Sequence, residues 1–345
     1  MKNKIYSVFM FVLLLLASDL QAADVPVVPN IGLKNQGSTC YQNATLQAIH
    51  KCTTLHDLLM EQLAASKSQD PLVTELRNTL VSLQSTVGVA YNPVLFANNV
   101  CSALYANDAG QQDAGDFLTT LLARLQTEAV IPNSTPVPGS LVDESFARWH
   151  GVSTSRSLTC DECKGGRRSP LLPECTCVLS LSLPAVGPLG SYRLPELLTH
   201  FAVQEVLEGD NAVLCEACAA KKKHIGQLDF TINPDLSFMV LQPKRFKFDM
   251  STMAMSKITT PLIFDESGVV EISDSNGEQS RFTIMSVVVH QGDVSGGHYW
   301  TVSRDGVYND PTVTLDAGAA MKTLLTTGRH SMGEGYLYFL QRLRE

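Results

Sequence analysis

The chain carries little charge of any kind and no excess of positive charge. Charged residues make up 17% of 345, with 26 Lys and Arg against 34 Asp and Glu and a formal net charge of −8. Nucleic acid and anionic membrane surfaces call for a basic excess, so neither is an expected partner, whereas a basic protein is compatible. The sequence has no internal repeat and no low-complexity block, which excludes solenoid and disordered classes. With 44% hydrophobic residues it can build one sizeable core or two modest ones. Beyond Ala17 it has no apolar run approaching the ~20 residues of a transmembrane helix.

What stands at the N-terminus is more specific. Lys2 and Lys4 precede an apolar run from Ile5 to Ala17, followed by SDLQAAD with small residues at Ala22 and Ala23. A basic start, a short apolar stretch and a small-residue site read as a cleavable signal peptide over 1–22, with a linker over 23–29. An uncleaved anchor is the alternative, for which the run is short. The apolar run is followed by no cysteine, so no lipid anchor is expected, and no membrane association after cleavage. The nine cysteines are an odd number, so at least one thiol stays unpaired even if the others form the disulfides usual in exported chains.

From Cys40 to about Glu128 the pattern is helical: Leu46 and Ile49 share a face, and Leu72, Leu76, Leu80 and Phe117, Leu121, Leu125 recur at i+4. AVIPNSTPVPG, 129–139, reads as a Pro-rich connector. Strand-like segments follow, among them CVLSLSLP, HIGQLDFTI, LSFMVLQPKRFKF, RFTIMSVVVH and YLYFLQRL, interrupted by the short helix LPELLTHF. Helices first and strands later predict an α+β fold with segregated lobes around a cleft.

GLKNQGSTCYQNATLQ places Cys40 between a Gly/Asn-rich turn and the start of a helix. A thiol at a helix N-terminus feels the positive end of the macrodipole, which favours the nucleophilic thiolate. The preceding turn offers backbone N–H groups and the Asn35 amide as oxyanion donors. A buried, inert cysteine is the alternative. His298, in VVVHQGDVSGGHYWTVSRDGVYND, opens a strand after a glycine-rich loop and is the candidate base. Asp305-Gly306 signals a hairpin, so Asn309 or Asp310 on the return strand could orient the imidazole. A two-residue turn pairs Asn309 with Val302, four residues from His298; a four-residue loop pairs it with Trp300, a diagonal of ~7 Å from His298. Both put Asn309 on the His298 face and Asp310 on the other, so Asn309 is the choice provided the loop is the looser one. An odd loop count favours Asp310.

These segments resemble the cysteine and histidine boxes of the ubiquitin-specific proteases. GQQDAGDFLTTLL, SLTCDEC, EVLEGDN, LCEAC and LQPKRF, in that order, are similar to further signatures of the family, over nearly all of 30–343. The resemblance implies a papain-like cysteine protease fold over 30–343, with a thumb over 30–145, fingers over 146–235 and a palm over 236–343. It implies that Cys40 is the nucleophile, His298 the base, Asn309 the orienting residue and Asn35 an oxyanion donor, with Asp310 an assisting acid. The substrate is then an isopeptide after the C-terminal Gly-Gly of ubiquitin. Gly296, Gly297 and Tyr299 would line a narrow channel for it, and Asp113 and Asp116 would meet basic residues of the tail. Capping or plain helix surface is the alternative for both acids.

Cys160, Cys163, Cys215 and Cys218 form two C-x-x-C pairs that suggest a four-cysteine site for structural Zn2+. The resemblance places it in the fingers; disulfides or an empty pair of knuckles are the alternatives. No organic cofactor is expected, and the chain is expected to be a monomer. Three positions depart from the family pattern: Asp116 stands where Glu is usual, Pro243 precedes KRF and suggests an edge or bulged strand, and the His298–Asn309 interval is short. The last leaves a ubiquitin-binding module without activity as a competing expectation, beside a general exported papain-like protease. Combined with the signal peptide, the resemblance suggests a secreted bacterial effector that acts on ubiquitinated proteins in a host cytoplasm.

Overall fold

A computed structural model of the chain describes residues 30–84, 88–133, 144–184 and 190–344, with the backbone alone for 166–173. The expected signal peptide, its linker and part of the Pro-rich connector lie outside the described residues. The order is α+β as expected. Five helices come first: α1 (Cys40–Lys51), α2 (Thr53–Ala65), α3 (Pro71–Leu83), α4 (Val94–Leu104) and α5 (Ala114–Thr127). Two have acidic N-caps. Asp70 Oδ1 accepts from the N–H groups of Leu72 and Val73 at 2.7 and 3.3 Å, with Pro71 at the first helical position. Asp113 does the same for Gly115 and Asp116 at 2.7 and 2.9 Å. Each cap satisfies N–H groups that the first turn leaves without partners.

In α3 and α5 the i+4 residues Leu72, Leu76, Leu80 and Phe117, Leu121, Leu125 are all buried. Helix α1 departs from the one-faced expectation: every residue from Cys40 to Lys51 is buried. It is enclosed because it lies between the other helices and a sheet, and polar groups hold it there. Thr301 Oγ1 donates to the Ala44 carbonyl at 2.6 Å and Ser286 Oγ to that of Ala48 at 2.7 Å. Gln47 Nε2 donates to the Ile31 carbonyl at 2.6 Å.

That sheet has nine strands. Along its main path the order is Thr312–Leu315, Gly306–Asn309, Gly297–Ser303, Gln279–Gly292, Gly333–Arg342, Phe238–Lys244 and Val178–Ser182, with Val269–Ser273 and Arg329–His330 attached at the side. Its central strands are apolar on both faces because both are covered. Val288, Leu337 and Phe339 pack toward the helices. Their alternating neighbours Val287, Val289, Tyr338 and Leu340 join a second core under Leu194–Phe201 and Ala319–Thr327. The period of 2 is preserved, but no polar face marks it in the sequence. A separate four-stranded antiparallel sheet, Gly166–Thr176, Val152–Cys160, His224–Ile232 and Glu205–Leu207, carries the first C-x-x-C at the end of one strand.

Pro243 is not on an edge strand. Phe238–Lys244 lies between Gly333–Arg342 and Val178–Ser182. Its antiparallel pairing ends at Leu241, so Pro243 sits past that ladder and faces only the parallel partner Leu181. A missing N–H therefore costs no sheet bond on the antiparallel side. Arg245, just beyond, is fully buried. Its guanidinium donates to the carbonyls of Gly335, Ile258 and Thr260 at 2.8, 3.0 and 2.9 Å, joining its own segment to two others. Arg245→Leu leaves these carbonyls without a donor and is expected to cost about 3 kcal/mol of stability. A lower urea midpoint at unchanged slope checks this; an unchanged midpoint contradicts it.

Candidate active site

Cys40 is the first residue of α1 and is 2% exposed. The turn before it is ordered by a side chain: Asn35 Oδ1 accepts from the Thr39 N–H at 3.2 Å, and Thr39 Oγ1 accepts from the Gln36 N–H at 2.9 Å. Asn35 Nδ2 donates to Asp310 Oδ2 at 2.9 Å. One of its two amide hydrogens is thereby engaged and the amide is fixed in direction.

His298 stands on Gly297–Ser303. The return strand pairs Tyr308 with Thr301 and Val307 with Val302, which is the register of the four-residue loop. Continued, it sets Asn309 opposite Trp300 and diagonal to His298, and the two side chains meet: His298 Nε2 lies 2.7 Å from Asn309 Oδ1. An amide oxygen only accepts, so Nε2 carries the proton of the neutral ring and Nδ1 is left as the basic nitrogen. Cys40 is the neighbour that most favours the protonated ring. Its side chain, with help from Asn309 and Asp310, raises the His298 pKa to about 9 against the opposing effect of burial.

Strand parity puts Asp310 on the far face, and here the structure corrects the sequence reading. Asp310 has φ +50°, so the chain leaves the pleat at that residue and parity no longer governs its side chain. Its Oδ2 lies 4.0 Å from His298 Nε2. Its Oδ1 accepts from Asn43 Nδ2 at 2.8 Å, and its backbone carbonyl from the Leu33 N–H at 2.8 Å. One residue thus links the Asn35 turn, α1 and the histidine hairpin.

A cleft of about 540 Å³ opens beside these groups, its lining including Gln111, Asp113, His290, Gly296, Gly297 and Tyr299. Asp113 is held in place as the cap of α5 and by the Tyr336 hydroxyl, which donates to its Oδ2. Asp116 is exposed on the first turn of α5 and is not among the lining residues. Tyr299 is buried, and burial raises its pKa. Gly297 has no room for a side chain: a Cβ would stand 2.2 Å from the Gln291 carbonyl oxygen and 2.3 Å from His290 Nε2. His290 is 2% exposed, and burial, reinforced by the charges of Lys257 and Arg245, pushes its pKa down to about 3.

Two groups at this site escaped the sequence reading. Gln111 bridges the lobes, its Nε2 donating to the Gly297 carbonyl at 3.0 Å and its Oε1 accepting from the Gly297 N–H at 3.1 Å. It was visible within GQQDAGDF, but the adjacent acids drew the chemistry. Asn43 was visible as a polar residue one helical turn after Cys40.

Cys160, Cys163, Cys215 and Cys218 converge, with all four sulfurs within 4.8 Å of one another and those of Cys163 and Cys215 3.6 Å apart. Zinc–sulfur bonds of about 2.3 Å in a tetrahedron put sulfurs ~3.8 Å apart, so the set fits such an ion. The 3.6 Å separation is too long for a disulfide, which needs about 2.0 Å.

Residues 31–339 match the family described as ubiquitin carboxyl-terminal hydrolase. Ubiquitin carboxyl-terminal hydrolase 2 of Rattus norvegicus is 27% identical over 332 residues, covering 85% of this chain and 52% of the relative. Ubiquitin carboxyl-terminal hydrolase 48 of Gallus gallus is 27% identical over 295 residues, covering 80% of this chain and 26% of the relative. The chain thus spans about half of one curated relative and about a quarter of the other. A chain in the structure of the SAGA Ubp8/Sgf11/Sus1/Sgf73 DUB module bound to ubiquitin aldehyde superposes with a TM-score of 0.69 at 21% identity. The superposition covers 91% of this chain and 70% of that one.

His298 has a folded pKa raised from 6.5 to about 9, so its protonated ring stabilises the fold fully below 6.5 and loses that contribution as pH rises through about 9. In Cys40→Ala the largest cause is gone. The ring is then expected to titrate well below 9 and stability to lose its slope over that window, as read by imidazole NMR and by urea unfolding against pH. A titration unmoved by the substitution contradicts the pairing.

Proposed function

The chain belongs to the ubiquitin carboxyl-terminal hydrolase family, and on that premise we propose that it is a cysteine-dependent deubiquitinase. The reaction is hydrolysis of the isopeptide bond after the C-terminal Gly-Gly of ubiquitin. The observation that carries this is the 2.7 Å contact between His298 and Asn309, with Cys40 beside the same ring. It supports catalysis over a binding-only module, whose rationale was a hairpin too short to bring the third residue within reach.

The chemistry follows from the proton inventory. The raised pKa of His298 favours the ion pair in which Nδ1 holds the proton of the Cys40 thiol, and Asn309 orients the imidazolium. The Cys40 thiolate adds to the terminal glycine carbonyl, and the oxyanion is met by the Asn35 amide and by backbone N–H groups at the start of α1. His298 gives its proton to the departing lysine amine, leaving a thioester. Water, deprotonated by the same ring, adds to the thioester carbonyl, and Cys40 leaves as thiolate. Gly296 and Gly297 keep the cleft narrow, and Gln111 ties its two walls. Asp113, fixed as a helix cap, is the acid placed to meet a basic residue of the incoming tail, and Asp116 lies farther out.

Cys160, Cys163, Cys215 and Cys218 would hold a structural zinc ion, which would cross-link the two knuckles and stand apart from the reaction. Export by the N-terminal 22 residues and action on ubiquitinated proteins of a host cytoplasm are part of the same proposal. Recovery of the mature chain only from the periplasm of infecting cells counts against that part.

The zinc-loaded chain from Ala23 onward, mixed with ubiquitin bearing a thiol-reactive C-terminal group, is expected to form a covalent adduct that Cys40→Ala abolishes. A folded protein that binds ubiquitin without adduct sinks the enzymatic reading. Gly297→Ala is expected to lower kcat/KM roughly 100-fold, because its Cβ displaces the strand that carries His298. Steady-state hydrolysis of a ubiquitin C-terminal amide reads this, and a near-normal rate contradicts the close strand packing at Gly297. A chelator is expected to lower the melting temperature reversibly, with recovery on adding Zn2+ and no effect on Cys163→Ser.

A further inference from the structure

Helix α1 carries the nucleophile at one end, and at its other end is a polar cluster that neither the reaction nor the cleft uses. Lys51, the last residue of α1, has a side chain 4% exposed. Its Nζ donates to Asp305 Oδ2 at 2.9 Å and to Asn30 Oδ1 at 2.8 Å, and lies 4.5 Å from the centre of the Tyr308 ring. The Tyr308 hydroxyl lies 2.8 Å from Asp305 Oδ2 and also against Asn30 Oδ1, with a single proton to share between them. Ser303 Oγ donates to the other carboxylate oxygen of Asp305. A lysine this buried is tolerated only with such partners, because an unpaired ammonium there costs several kcal/mol.

The location matters more than the pairing. Asp305 lies in the four-residue loop, and Tyr308 immediately precedes Asn309. The loop length is what makes Asn309 diagonal to His298 rather than ~13 Å away. A loop of two residues is the commoner solution for Asp-Gly, so something must hold the wider form. Ser303 and Asp305 close on each other within the loop, while Lys51 and Tyr308 grip the same carboxylate from α1 and from the return strand.

We propose that the Lys51–Asp305–Tyr308 cluster is a positioning clamp for catalysis, setting the loop register that delivers Asn309 to His298. The proposal rests on the deubiquitinase reading of the site. None of the three touches the substrate, Cys40 or the His298 ring in the contacts above; they act through Asn309. The clamp also accounts for the short His298–Asn309 interval: with few residues available, the orienting strand is drawn into place by the helix that carries the nucleophile.

The test compares Lys51→Met and Asp305→Asn, each alone and combined with Asn309→Ala, in the zinc-loaded chain from Ala23. Two rates are read: kcat and KM on a ubiquitin C-terminal amide, and alkylation of Cys40 by iodoacetamide, followed on the Cys40 peptide by mass spectrometry. Each clamp variant is expected to lower kcat and the alkylation rate about tenfold with KM within about twofold, and to cost less than about twofold more when Asn309 is already Ala. Costs that multiply in the Asn309→Ala background, or that fall on KM or on the melting temperature alone, overturn the clamp. Asp305→Asn keeps the shape of a partly exposed side chain, so the test stands if Lys51→Met does not fold. Alkylation needs no ubiquitin. A wild-type chain that is alkylated normally but cleaves nothing contradicts the function, whereas variants that alkylate as fast as wild type contradict the clamp.

Discussion

The Asp310 side chain is the point on which the geometry of the candidate site turns. Three segments distant in sequence converge there: the turn before Cys40 through Asn35, the first turns of α1 through Asn43, and the histidine hairpin to which Asp310 itself belongs. Two neutral amides satisfy the two carboxylate oxygens, so a side chain that is only 11% exposed is solvated by the protein. The price is a left-handed backbone at a residue with a side chain, which the bonds of its own carboxylate and carbonyl offset. Because both amides come from the segment around Cys40, that residue and His298 share a common reference.

That arrangement explains the unequal fates of two histidines on adjacent strands. His290 faces Tyr299 across the ladder, is enclosed by aromatic rings, and has the cations Lys257 and Arg245 for neighbours. Burial and positive charge both disfavour a proton, and the ring is neutral at any ordinary pH. His298 is partly exposed and faces a thiol, an amide oxygen and, farther off, a carboxylate. Every one of these favours a proton. Residue type is the same; the sign of the neighbouring groups separates a ring that stays neutral from one that holds a proton.

Helix α1 shows how stability and function are joined. Its backbone carbonyls receive hydroxyls from two strands of the sheet, its N-terminus presents the thiol, and its C-terminal lysine reaches Asp305 in the loop before the strand of Asn309. A helix buried on all sides cannot slide or rotate without breaking these bonds. The placement of Cys40 against the strand of His298 therefore rests on packing on a sheet covered on both faces.

Much of this was legible in the residues. The α+β order, the i+4 stripes of α3 and α5, Cys40 at a helix start, His298 opening a strand, and the paired C-x-x-C knuckles follow from periodicity, capping and spacing, which are local properties. The sequence also narrowed the third residue to Asn309 or Asp310 and named the loop length as the condition, but it could not supply that length. Only the tertiary structure decided it: the ladder pairs Val302 with Val307 and Thr301 with Tyr308, and Asp305 within the loop meets Lys51 from a segment far away in the chain. The same is true of Asp310, whose left-handed backbone breaks strand parity, and of Gln111, which acts only when two lobes face each other. Local pattern determines which elements form and which side chains are reactive; contacts across hundreds of residues determine where those side chains point.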